Sequence, residues 1–323
     1  MKKEKLRVAV IGVGHLGEYH VQKYKNIPGV ELVGVVDINP DRIREISKRY
    51  HTRPFGNHKD ILGMVDAVSL AVPTETHFRV ARDILSEGVH VLIEKPITYN
   101  LEDADSLLNL AREKGLVLQV GLVERFNPAV VKMEALLNRP TYIEAHRMNL
   151  FTARGIDVDV VLDLMIHDLD IILHMVQAEV KEVHAVGMSV ITDKTDVANA
   201  RLIFENGIVA NLTASRVSNK TLRKIQVFQP DAQISADCHT RTISVVRLNG
   251  KAKGLSDLPQ FIPEEEKFSS SDPLADEIAS FVGVVQNGST PMVSGQDGRR
   301  ALNVALGIID QIERGNKNFK SIS

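Results

Sequence analysis

The apolar run Leu6-Arg7-Val8-Ala9-Val10-Ile11 ends directly in Gly12-Val13-Gly14-His15-Leu16-Gly17, and a helical pattern follows. A strand that turns through three glycines into a helix leaves little choice of fold, because each glycine answers a different steric need. Gly12 makes the tight bend, Gly14 lets the backbone approach a pyrophosphate, and Gly17 lets the helix pack close to the strand. The helix N-terminus offers free N–H groups and the positive end of its dipole to phosphates. Asp37 closes the second strand pattern about 20 residues beyond Gly17, where a carboxylate meets an adenosine ribose. These features predict a dinucleotide site whose contacts include Gly12, Gly14, His15, Leu16, Gly17 and Asp37. The Asp37 carboxylate can accept from both ribose hydroxyls but would lie beside a 2′-phosphate, and Ile38 and Asn39 bring no balancing cation, so NAD is expected over NADP. Arg42 is the one nearby cation that could swing toward such a phosphate.

Up to Gly121 short β-branched runs alternate with helical patterns, which predicts an α/β Rossmann domain with a parallel sheet. Strands are expected over 6–11, 31–37, 67–72, 89–93 and 117–120, and helices over 41–50, 76–87 and 101–114. With 323 residues the chain exceeds the roughly 250 to 300 at which single cores stop growing, so two domains are expected, 1–121 and 122–323. After Pro128 the runs lengthen and alternate, with turn signals such as Glu205-Asn206-Gly207 between them. That pattern predicts an α+β domain with a large, open, mostly antiparallel sheet. A sheet of this size must cover its second face, and with few helices here a second copy of the chain is the expected cover, as homodimer or homotetramer.

A formal net charge of -2 without a basic block argues against a nucleic-acid partner. No stretch approaches the ~20 apolar residues of a membrane span, and the opening segment lacks a cleavage site. The single cysteine, Cys238, permits no intrachain disulfide and stands in no metal-binding cluster, so a cytoplasmic protein without a metal is expected.

Val89-His90-Val91-Leu92-Ile93 runs into Glu94-Lys95-Pro96. That places an ammonium at a sheet's carboxyl edge, where open α/β sheets bind ligands. Pro73-Thr74-Glu75-Thr76-His77 follows another strand, and Thr74 and His77 read equally well as helix caps or as ligand contacts. A helix expected over 159–177 carries Asp163, His167, Asp170 and His174 as one polar stripe on an otherwise apolar cylinder.

Together with Gly121 to Pro128 and the closing stretch around Gly295-Gln296-Asp297-Gly298, these motifs resemble the glucose-fructose oxidoreductase/inositol dehydrogenase (Gfo/Idh/MocA) family over nearly the whole chain. The resemblance implies a nicotinamide-dependent sugar dehydrogenase whose closing helices pack back on the first domain. It also implies cofactor contacts from Pro73, Thr74, His77, Glu94 and Lys95, and a cis peptide before Pro96. The family places an aspartate and a histidine four apart beside the motif lysine, which Asp163 and His167 match. His167 is then read as general base, Lys95 as the group that polarises the same hydroxyl and Asp163 as orienting partner, although Lys95 and His167 could exchange roles.

Within the family, 123–128 together with 157–168 looks most similar to UDP-N-acetylglucosamine 3-dehydrogenases of an aminated lipid A pathway. A UDP moiety requires cations, for which Arg125, Arg154 and Arg216 are candidates. Two alternatives stay open: a dehydrogenase of inositol or a free aldose, and a non-catalytic NAD-sensing regulator. Against the regulator stand the three retained chemical groups and the lack of a DNA-binding appendage.

Overall fold

The computed structural model describes residues 5–152, 158–247 and 263–320. The chain divides into two compact units, Met1–Val123 with Asp272–Leu302, and Glu124–Ser271 with Asn303–Ser323.

The first unit runs β1 (Leu6–Ile11), α1 (His15–Lys25), β2 (Val30–Val36), α2 (Pro40–Tyr50), β3 (Arg53–Phe55), β4 (Ala67–Leu70), α3 (His77–Ser86), β5 (His90–Glu94), α4 (Leu101–Glu113) and β6 (Leu118–Gly121). The six strands lie in the order β3-β2-β1-β4-β5-β6, and every pair is parallel. The order reverses between β1 and β4, the kind of switch point at which open sheets bind their ligands. The predicted parallel sheet is thus present, with β3 added at an edge by three residues too short to signal a strand in sequence. Helix starts obey local chemistry: Asn39 accepts from the Asp41 and Arg42 amides ahead of Pro40, and Asn100 accepts from the Asp103 amide. Val8, Val10, Ala67 and Leu92 of the sheet pack with Val21 and Tyr24 of α1 in the core.

In the second unit come α5 (Pro128–Leu136), β7 (Tyr142–Met148), a π-helical turn (Val161–Met165), α6 (Ile166–Val176), β8 (Val180–Met188), β9 (Val197–Phe204), β10 (Val209–Ser215), β11 (Leu222–Gln229), β12 (Ala232–Asp237), β13 (Thr242–Arg247) and β14 (Pro263–Lys267). Their order is β14-β13-β12-β11-β7-β10-β9-β8, antiparallel throughout except for the β7–β10 pair. Along β7, Ile143, Ala145 and Arg147 are buried while Tyr142, Glu144, His146 and Met148 on the other face are only half-buried. β14 has no apolar alternation to announce it, since Glu264-Glu265-Glu266 is exposed throughout. Asp196 stitches the β8–β9 connection: its carboxylate accepts from the amides of Val190 (2.8 Å), Ile191 (2.7 Å) and Thr192 (2.9 Å) and from the Thr192 hydroxyl (2.7 Å). Burial works against that charge, yet these bonds hold the carboxyl at about 2.

Two helices close the chain, α7 (Pro273–Asn287) and α8 (Gly295–Lys320). Ile278, Phe281 and Val282 of α7 belong to the first unit's core.

Candidate active site

The three glycines of the first turn differ in what surrounds them. Gly12 has φ +83°, and a Cβ there would lie 2.6 Å from the Ala71 carbonyl oxygen. A Cβ on Gly17 would lie 1.8 Å from the Gly12 carbonyl oxygen, so the start of α1 can seat on β1 only without a side chain. Gly14 is exposed and a Cβ there would meet nothing within 4 Å. Among the described residues nothing requires glycine at position 14, as expected where an external group must reach the backbone.

Asp37 is tied into this turn. Its carboxylate accepts from the Val13 amide at 2.9 Å and from the Asn39 amide at 2.9 Å. Arg42 is tied to the turn as well, donating through Nε to the Val13 carbonyl at 2.7 Å and pairing with Glu18 at 2.6 Å and Glu45 at 2.8 Å. It is thus a strut of the turn rather than a cation held ready for a phosphate. A cleft of about 710 Å³ opens at the switch point, lined among others by Gly12, Gly14, Asp37, Ile38, Pro73 and Arg79. Ile38 is 95% exposed there, a large apolar face turned to the cleft's side of the sheet. Arg79 and His58 also line it, two basic groups that adjacency to Asp37 in sequence does not disclose. His15 and Leu16 are exposed in the first turn of α1, with the His15 ring edge-on to Tyr19 at 5.0 Å.

Beyond β4, Thr74–Thr76 forms a 3₁₀ turn and no side chain caps α3, so the capping reading of Thr74 and His77 is corrected. Both ring nitrogens of His77 instead face backbone carbonyls, Nδ1 that of Pro96 and Nε2 that of Val72, each at 2.9 Å. Any influence of His77 on a ligand must run through the backbone it holds. The Lys95–Pro96 peptide is cis, as the resemblance implied. Glu94 is 7% exposed, and its Oε1 accepts from Nε2 of His20 at 2.9 Å. Lys95, the next residue, is half-buried at the carboxyl end of β5.

In the second unit the helix expected over 159–177 begins as the π turn that carries Asp163, and His167 falls in the first turn of α6. Such i→i+5 turns widen the helix locally and recur at functional sites. The polar stripe does not act as one set. Asp163 and His167 stay half-buried, whereas Asp170 is 3% exposed and pairs with Arg125 at 3.3 Å, and His174 stands 3.8 Å from Glu134. Asp170 is therefore internal framework, whereas His174 stays half-buried near Glu134.

The arginines assigned to a diphosphate need correction for the same reason. Arg125 is 1% exposed between Asp170 and Glu134, and Arg216 is 4% exposed, donating to the Val158 carbonyl at 2.6 Å with Asp196 at 3.7 Å. Each is buried against acceptors of its own unit, where removing a partner would strand a charge. Arg154 lies outside the described residues. A further buried cluster escaped sequence reasoning: Arg147, on β7, forks onto Asp168 at 2.7 to 3.1 Å and reaches Glu124 at 2.6 Å. Burial opposes its charge, but the two carboxylates hold the guanidinium protonated. His20 was also missed, although a signal existed: with Gly17, Val21 and Tyr24 it occupies the buried stripe of α1, the one imidazole on an inward face.

Among the described residues no helix is long and apolar enough to cross a membrane, and no group of three or more His, Cys, Asp or Glu is disposed to hold a metal ion.

The model of an oxidoreductase family with an NAD-binding Rossmann fold, Gfo/Idh/MocA, matches residues 6–122, and a Gfo/Idh/MocA C-terminal domain model matches residues 129–235. A UDP-N-acetylglucosamine 3-dehydrogenase of Acidithiobacillus ferrooxidans is 40% identical over 310 residues, covering 95% of this chain and 97% of that protein. A myo-inositol 2-dehydrogenase of Thermotoga maritima is 27% identical over 318 residues, covering 92% and 93%. A solved structure of UDP-N-acetylglucosamine 3-dehydrogenase from Acidithiobacillus ferrooxidans superimposes with a TM-score of 0.90 at 39% identity, covering 97% of this chain and 99% of that one.

Proposed function

The chain belongs to the Gfo/Idh/MocA family of oxidoreductases, and from that membership we propose that it uses NAD to oxidise a pyranose secondary alcohol, specifically C3 of UDP-N-acetylglucosamine, to the 3-keto sugar. The observation that carries the substrate reading is the 40% identity, extending over 95% of the chain, to an enzyme of that activity. The cofactor reading is supported by Asp37, which lines the cleft beside the glycine turn, and by Arg42, which is engaged with Glu18, Glu45 and that turn. The open space over Gly14 fits a pyrophosphate, and exposed Ile38 fits an adenine face.

Bound NAD supplies the hydride acceptor, and the protein's share is binding, orientation and proton transfer. His167 takes the proton of the reacting hydroxyl, Lys95 donates a hydrogen bond to the same oxygen, and Asp163 orients the imidazole. The 3-keto product is what an aminotransferase of a lipid A precursor pathway would consume. Cytoplasmic residence agrees with a lone, buried Cys238. A homodimer or homotetramer agrees with the outer face of the second sheet, where Val186 and Met188 are 66% and 60% exposed.

The 27% identity to a myo-inositol 2-dehydrogenase favours inositol as the second reading. One experiment separates the two. The protein is incubated with NAD and, in parallel, UDP-N-acetylglucosamine, myo- and scyllo-inositol or glucose, with a hydrazine trap for the ketone and mass detection. Trapped 3-keto UDP-sugar is the expected product. Trapped ketone from inositol alone transfers the assignment to the second reading.

A further inference from the structure

We infer that His20 and His77 are positioning residues for Lys95, two buried imidazoles that grip the residues on either side of it and so set where its ammonium stands at the end of β5. This rests on the reading of Lys95 as a group that acts on the substrate oxygen. The first grip is on Glu94. A carboxylate that is only 7% exposed is costly unless it is bonded. Here it receives Nε2–H of His20 at 2.9 Å and the backbone N–H of Lys95 at 3.4 Å. It lies flat on Gly121, where a Cβ would come within 2.9 Å of it.

Donor and acceptor inventory then orients a whole chain. Because a carboxylate only accepts, the ring must present its N–H at Nε2, and in the neutral tautomer Nδ1 accepts. The hydroxyl of Ser69 donates to it at 2.9 Å, and Ser69 in turn accepts from the Tyr24 hydroxyl at 2.9 Å. Burial pushes the Tyr24 phenol far above its ordinary range, so it remains a donor. Tyr24 is 1% exposed and His20 and Ser69 are 0% exposed. At Tyr24 the chain of hydrogen bonds ends inside the core. What it can do is fix an orientation.

The second grip is on Pro96. His77, 1% exposed, stands with its two nitrogens 2.9 Å from the Pro96 and Val72 carbonyl oxygens; burial favours the neutral ring, which donates its one N–H to one of them and packs against the other, wedged between the segment after β5 and the segment after β4. Glu94 and Pro96 flank Lys95 directly, so between them the two rings hold the backbone that carries the ammonium. A reacting group displaced by about 1 Å loses on the order of 10²-fold in rate, which is reason enough for such a clamp.

The test uses the full-length protein with NAD and whichever sugar alcohol it oxidises in the trapping panel. His20→Leu and His77→Leu should each lower kcat by about tenfold or more, while KM and the Kd for NAD stay within about threefold. His20→Gln, which keeps an N–H for Glu94, should recover most of the loss. In a Lys95→Met background, His20→Leu should change the residual rate by less than about twofold, because the group it positions is gone. If His20→Leu slows Lys95→Met by the same factor as it slows the native enzyme, its role is structural and the inference is overturned. If His20→Leu does not fold, Ser69→Ala, which removes that ring's second anchor, takes its place with the same expectation and the same refuting result. Near-normal turnover of Lys95→Met alone would remove the lysine's assigned role and this inference with it, a failure distinguishable from normal His20 variants in an enzyme that still needs Lys95.

Discussion

Alanine at Gly14 and alanine at Gly17 should produce opposite phenotypes, although the two glycines share one turn. At Gly17 the new Cβ would stand 1.8 Å from the Gly12 carbonyl oxygen, so that carbonyl and the start of α1 must separate by about 1.2 Å to reach even a tight contact. Both groups are backbone in a buried place, with no flexible side chain to give way. Overpacking of this kind costs about 1–3 kcal/mol, which in a unit of this size is a fall of roughly 2–12 °C in melting temperature. Gly14 has φ -61° and an empty surround, so a methyl there is accommodated and melting should move by no more than about 2 °C. The methyl nevertheless occupies the space a pyrophosphate needs to reach the backbone amides. Losing one charge-assisted bond of about 1.5–3 kcal/mol weakens dinucleotide binding by roughly 10- to 150-fold. The chain contains no Trp, so enhancement of NADH fluorescence reads binding directly, with calorimetry as a check. Gly14→Ala that melts normally and binds NADH like the native protein would refute the turn as a phosphate cradle. Gly17→Ala with unchanged melting would refute the steric argument.

NAD should bind at least about tenfold more tightly than NADP, a difference of about 1.4 kcal/mol. Asp37→Ser should narrow that gap by admitting the 2′-phosphate near Arg79, and adding Arg79→Ala should widen it again, as calorimetry with both dinucleotides will tell. Lys95→Met and His167→Asn should each reduce kcat by roughly 10²-fold with NAD affinity retained, and the double variant should be little worse than the poorer single. Full additivity of the two losses would mean that they do not act as a unit. Asp196, whose folded carboxyl sits at about 2, contributes stability above its unfolded value of 3.8 that is lost as pH falls toward 2. That contribution is about 2 kcal/mol at pH 7 and about half as much at pH 3. Urea unfolding of native protein and Asp196→Asn should therefore show a stability gap that shrinks by about 1 kcal/mol between those pH values, and a constant gap would contradict the assignment.

Local pattern carried most of the fold. Strand runs such as Leu6–Ile11 and His90–Glu94 and the glycine turn are specified by residues within one or two turns of each other, so they are legible before any tertiary contact exists. The lysine at the end of β5 and the polar stripe of Asp163, His167, Asp170 and His174 were legible on the same terms, whereas singling out Asp163 and His167 within it rested on the family resemblance. Charge pairing was not. Arg42, Arg125, Arg147 and Arg216 look alike in sequence as solvated cations, yet each is engaged with groups inside its own unit. Burying an arginine is tolerable only where acceptors arrive from elsewhere in the fold, and periodicity does not encode that meeting. The same holds for His20 and Glu94, bonded although 74 positions apart, and for Arg79, brought to the cleft that Asp37 lines. Sequence alone determined most of the elements that form, short or uniformly exposed strands such as β3 and β14 excepted, and which chemical groups stand at their ends. Tertiary structure decided which of those groups remain at a site and which become its framework, because that choice depends on desolvation and on partners distant along the chain.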